Sequence, residues 1–145
     1  MIKTIPNDEF FSLVLETLQD GSTASIPVKG VSMLPFIVPE KNQVVLQKPS
    51  GPFRRGDIVL FMFRGNYVLH RVIETDGENF VMMGDGNVAG TESCTAADIK
   101  AKAIAIVKNG KSFDPYSKAW MGWWHLWMAL KPVRRYLLFI IRRCI

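Results

Sequence analysis

The sequence predicts a mainly β protein, an antiparallel sheet with one helix before it and amphipathic helices after it. Three observations carry that expectation. Six short β-branched segments alternate apolar and polar residues with a period of two, and turn residues separate them. The spacing between them leaves no room for crossover helices, which excludes a parallel α/β arrangement. At both ends of the chain the period lengthens to that of a helix.

In chain order, residues 7–19 form the first helix. Asn7 is placed as its N-cap, Asp8 and Glu9 suit its first turn, and Gly21 is a plausible stop. Phe10, Phe11, Val14 and Leu18 then share one face. The strands follow as "TASIPVKG" (23–30), "QVVLQK" (43–48), "DIVLFMF" (57–63), "YVLHRVIE" (67–74), "NFVMM" (79–83) and "IKAKAIAIVK" (99–108). Gly65-Asn66 makes a tight hairpin between the third and fourth, and Asp76-Gly77-Glu78 joins the next pair. Residues 84–98, "GDGNVAGTESCTAAD", read as a long polar loop, a kind more often functional than idle. From Pro115 the chain is helical again. Trp120, Trp123, Trp124 and Trp127 recur at i, i+3, i+4 and i+7 as one stripe, and Pro132 starts a second helix, "PVRRYLLFIIRR".

A length of 145 residues fits one compact domain, and 48% hydrophobic residues are enough for a core. The expected division is a body, 1–114, with its β domain over 22–114, and a basic Trp-rich tail, 115–145. Cys94 and Cys144 suit neither a disulfide scaffold nor a metal site and read as free thiols in a reducing compartment. Asp8, Glu9 and Glu16 interrupt the N-terminal apolar residues, so no signal peptide is expected. No run approaches the roughly 20 apolar residues of a membrane span. The expected location is the cytoplasm or the surface of a membrane.

The net charge of +5 is unevenly distributed. Residues 1–114 hold 12 basic and 13 acidic residues, whereas residues 115–145 hold six basic residues and no acidic one. The body therefore has no electrostatic attraction for nucleic acid, and none is expected as a partner. For the tail two readings stand open. It docks on the domain as an ordinary amphipathic helix, or it lies on an anionic membrane with its tryptophans at headgroup depth.

Four motifs bear on chemistry, and each alone has an ordinary explanation. Ser32 in "VKGVSMLP" sits between Val31 and Met33, just before Pro35, where a turn residue would also fit. His70 in "YVLHRVI" shares a strand face with Val68 and Val72, opposite Leu69 and Arg71. Asp85 in "GDGN" suits a turn, and Asp57 in "RRGD" suits the fixing of the loop before it.

In this order, "GVSMLP", "RRGDIVLF", "YVLHRVI" and "MMGDGN" resemble the boxes of the signal peptidase I clan of serine peptidases, which includes LexA-type self-cleaving regulators. The resemblance covers about Val28 to Ile104. It implies that Ser32 is a nucleophile attacking a peptide carbonyl and that the base lies on the later strand. No lysine occurs between Lys48 and Lys100, so the sequence resembles the serine–histidine branch of the endoplasmic-reticulum and archaeal-type enzymes, with His70-Arg71-Val72. A serine hydroxyl needs an adjacent base, and an ordinary imidazole is largely neutral at pH 7. Asp85 is the expected third member of a Ser32–His70–Asp85 triad, unless the pair acts as a dyad.

The sequence departs from that branch in three places, one being that the N-terminal membrane anchor of those enzymes is not expected here. Gly30 replaces the hydroxyl two residues before the nucleophile, so the oxyanion would rest on backbone N–H groups of Ser32 and Met33. A second aspartate would fall at Thr91, which Glu92 follows, leaving Asp85 and Glu92 as alternatives for orienting His70.

The expected function is a serine endopeptidase of signal-peptidase type, cleaving a leader or signal-like peptide bound as an extended strand, without metal or cofactor. The alternatives are a self-cleaving LexA-type regulator and an inactive membrane-associated adaptor. About 20 residues before the first strand are too few for a helix-turn-helix domain.

Overall fold

The computed structural model describes residues 7–28 and 30–144. Helix α1, Asn7–Leu18, buries Val14 and Leu18 in the main core and ends where the Gly21 N–H meets the Leu18 carbonyl. Gly21 has φ +91°, a left-handed stop that other residues adopt at a cost. The side chains expected to cap this helix, Asn7 and Asp8, lie outside the described residues.

Eight strands form one sheet: β1 Ala24–Pro27, β2 Asn42–Gln47, β3 Ile58–Phe63, β4 Asn66–Thr75, β5 Asn79–Met83, β6 Glu92–Thr95, β7 Ile99–Lys108 and β8 Lys111–Phe113. Their order is β1-β2-β7-β3-β4-β5-β6, with β8 also on β7, and every pairing is antiparallel. The mainly β fold and its six predicted strands are therefore present. Two strands are additional. β8 is three residues long, and β6 lies inside the segment expected to be a loop. Cys94 is the only apolar residue of "ESCT", so alternation has nothing to register there, whereas β1, equally short and also at an edge, lies in a segment where Ala24, Ile26 and Val28 alternate toward the main core.

β3 shows why "IVLFMF" is apolar almost throughout. Ile58 and Leu60 face the main core, with Leu46, Ala103, Ile106 and Leu18. Val59 and Phe61 face a second core made with Val72, Phe80, Met82, Cys94 and Ile99. Both faces are covered, so both need apolar side chains. Cys94 and Cys144 are free, and burial pushes the Cys94 thiol up to about 11.

Tyr116 closes the seam between β3 and β7. Their pairing runs through Val59 and Lys102. One step further, the Tyr116 hydroxyl donates to the Ala103 carbonyl at 2.6 Å and accepts the Ile58 N–H at 3.0 Å. That hydroxyl fills the gap where the strands diverge.

Helix α2, Lys118–Ala129, and helix α3, Arg134–Cys144, are joined by a single 3₁₀ turn, Lys131–Val133. Ser117 caps α2, its hydroxyl accepting the Trp120 N–H. Trp127 and Leu138 form a third core with Leu34. The four tryptophans do not share one environment. Trp124 and Trp127 are buried, while Trp123 is 61% exposed and Trp120 half-exposed. At 100° per residue their stripe spans about 100°, and the domain covers most of it, leaving the Trp123 edge in solvent. Among the described residues no helix is long and apolar enough to cross a membrane.

Candidate active site

The segment after β1 turns sharply at Gly30, whose φ of +76° belongs to the left-handed region. Ser32 follows, half-buried, between anchored neighbours. Met33, Leu34 and Ile37 are all buried, and successive turns tie Leu34 N–H to the Val31 carbonyl and both Phe36 and Ile37 N–H to the Met33 carbonyl. The apolar frame around the serine is thus what fixes it.

His70 stands on β4 opposite Val59, on the face of the second core with Phe61 nearby, as the alternation predicted. Its ring is 8% exposed. Strand β6 supplies its partner. Val72 pairs with Met82 and Met82 with Glu92, which carries Glu92 onto the face of His70. Glu92 Oε1 engages His70 Nδ1 in a short, largely buried contact.

The other ring nitrogen faces the serine segment across Gly84. A Cβ on Gly84 would lie 3.0 Å from His70 Nε2 and would collide with the Ser32 carbonyl. A Cβ on Gly86 would collide with the Val31 carbonyl, and the Gly86 N–H donates to the Ser32 carbonyl at 2.8 Å. The two glycines of "GDGN" are therefore required by close approach rather than by turn geometry. Among the described residues the Ser32 hydroxyl and His70 Nε2 are not hydrogen-bonded. Such bonds commonly tighten only when substrate is in place.

The expectation that Asp85 orients His70 is corrected. Asp85 is buried, and its carboxylate takes Arg71 Nε at 3.0 and 3.1 Å, Arg71 Nη2 at 2.8 Å and Trp124 Nε1 at 3.2 Å. The reason is the strand itself. Arg71 points to the face opposite His70, and Asp85 follows Arg71. Arg71 Nη1 also donates to the Gly56 carbonyl, linking this pair to "RRGD". There Asp57 does fix the preceding loop, accepting the Arg54 N–H at 2.9 Å.

The carboxylate on His70 is Glu92, the alternative to Asp85 that the sequence leaves open. The tail contacts are not foreseeable in the same way. Trp127 Nε1 donates to the Asp85 carbonyl at 2.6 Å, and Arg134, fully buried, donates from Nη1 to the Asn87 carbonyl at 3.0 Å. Nothing in a stripe of tryptophans says which backbone it will meet.

An antiparallel β fold bringing a half-buried serine, a histidine and a carboxylate into one locale has the makings of a serine-nucleophile site. The chain belongs to the Peptidase S24-like family, whose model matches residues 2–112, and this supports the LexA and signal peptidase clan. No curated protein matches the chain. Helices α2 and α3 lie beyond the matched region.

Proposed function

We propose that this chain is a serine endopeptidase in which Ser32 is the nucleophile, His70 the base and Glu92 the residue that orients the base. The observation that carries this reading is the placement of His70, with Nδ1 on Glu92 and Nε2 facing the Ser32 segment across Gly84. A carboxylate on Nδ1 holds the tautomer whose Nε2 accepts a proton, and it stabilises the imidazolium that forms. Ser32 Oγ adds to the peptide carbonyl as its proton passes to Nε2. The oxyanion is met by the Ser32 and Met33 N–H groups. The leaving amine takes the proton back as the acyl-enzyme forms, and water then cleaves the ester by the same base.

The substrate is an extended leader or signal-like peptide with small side chains near the cut, its backbone pairing with a strand edge. The tail brings the enzyme to anionic membrane. Support comes from its basic residues and from Trp123, Tyr136, Phe139 and Ile140, all exposed. Arg134 is not available for lipid, being buried.

Membership of the S24-like family equally favours self-cleavage in the LexA manner. Incubating the chain with leader-type peptides, and alone, separates the two. Trans cleavage that disappears in both Ser32→Ala and His70→Ala, with a double variant no worse, supports the enzyme reading. Concentration-independent fragmentation of the chain itself supports self-cleavage. Peptide cleavage that survives Ser32→Ala overturns the nucleophile.

A further inference from the structure

We infer that the C-terminal helices form a strut for the active-site loop, with Trp127 and Arg134 as positioning residues that hold residues 84–87 against the Ser32 segment. The inference rests on the reading of Ser32 as nucleophile. Its geometry stands separately.

Three tail donors converge on this four-residue loop. Trp127 Nε1 binds the Asp85 carbonyl, Trp124 Nε1 the Asp85 carboxylate, and Arg134 Nη1 the Asn87 carbonyl. The two carbonyls bracket Gly86, whose own N–H holds the Ser32 carbonyl. Gly84, one residue before the bracket, is where Ser32 and His70 Nε2 come together. A shift of this loop therefore moves the nucleophile's backbone relative to its base.

Arg134 makes the point most sharply. Its guanidinium is fully buried, yet its acceptors are the Asn87 and Trp127 carbonyls and two methionine sulfurs, and its Nε has no partner among the described residues. Desolvating a cation for such acceptors is costly. A leucine or methionine would fill the same space without that cost, but would leave the Asn87 carbonyl unmet. The body packs closely on α2 at Gly56, whose φ of +101° favours glycine and whose α-carbon faces the Met121 and Trp124 side chains. The Trp124 ring meets the guanidinium groups of Arg55 and Arg71, at 4.8 and 5.0 Å from its centroid.

The test uses the full chain with Trp127→Phe, which keeps an aromatic side chain smaller than indole and loses the donor, and with Arg134→Met should the first variant fold poorly. Three readouts are taken: melting temperature, hydrogen exchange at the Gly86 amide, and the rate of Ser32 acylation by a fluorophosphonate probe. A positioning role predicts Gly86 exchange about tenfold faster, as one hydrogen bond is lost. It predicts acylation slowed by about ten- to a hundredfold, the effect of small misplacement at a reacting centre, while the protein stays folded. His125→Gln, an exposed change on the same helix, should match the parent in all three. Folded variants with parental exchange and parental acylation overturn the inference, and so does faster exchange without any loss of acylation. Should the parent itself resist acylation, the nucleophile reading fails, and unchanged Gly86 exchange in the variants would still remove the strut.

Discussion

Asp85→Ala distinguishes a structural carboxylate from a catalytic one. The substitution removes the acceptor of three Arg71 contacts and one Trp124 N–H, within a pair whose side chains are 2% and 1% exposed. Arg71 would keep its bond to the Gly56 carbonyl but would stay buried with its charge unpaired. Breaking a buried ion pair in this way costs about 3–5 kcal/mol. At about 2–4 °C per kcal/mol for a domain near this size, the melting temperature should fall by roughly 6–20 °C. Asp85→Asn retains an acceptor and should fall by less. Differential scanning fluorimetry reads both, and peptide cleavage measured below the transition reports activity per folded molecule. A variant that melts within about 2 °C of the parent yet loses activity by about 10⁴ would return Asp85 to the catalytic group and refute the assignment to Arg71.

The opposite pattern is expected at Glu92. Glu92→Gln should leave the melting temperature within a few degrees but slow cleavage by about 10²–10⁴, because an amide can hold the imidazole in the wrong tautomer; near-parental cleavage would remove Glu92 from the site. Tyr116→Phe strips the Ile58 N–H and the Ala103 carbonyl of their shared partner, at a cost of about 2–4 kcal/mol in urea unfolding. An unchanged midpoint would mean that β3 and β7 close the seam without it. Sedimentation with anionic vesicles should show binding that weakens with salt, and that is reduced in Phe139→Ser/Ile140→Ser. Equal sedimentation by parent and variant would count against the membrane surface. Cutting the chain at Asp114 is a poor substitute, since it would also remove Trp124, Trp127 and Arg134 from their buried positions.

What could be read from the residues tracks how much each element depends on its own pattern. Helix α1 and strands β1–β5 and β7 bury one or both faces, so periodicity and turn residues report them directly. β6 escaped because its place depends on pairing with β5, which no local alternation encodes in "ESCT". The error at Asp85 had the same root. Spacing in "MMGDGN" told that an aspartate follows β5, but its direction depends on whether the loop side chain meets the His70 or the Arg71 face of β4. Ser32 and His70 stand out as candidates because each sits in a dense local motif. Their approach across Gly84 became visible only with the sheet assembled. For the tail, charge and the tryptophan stripe leave docking on the body and lying on a membrane both open, and two of its tryptophans and one of its arginines are part of the interior.

The central claim is that Ser32 is activated by a histidine that Glu92 orients. Mass spectrometry of the chain after fluorophosphonate treatment tests it most directly. The account predicts one adduct, on the peptide carrying Ser32, absent in Ser32→Ala, and formed far more slowly in His70→Ala and Glu92→Gln while those variants remain folded. An adduct on another residue, or labelling of Ser32 at an undiminished rate in folded His70→Ala, would contradict it.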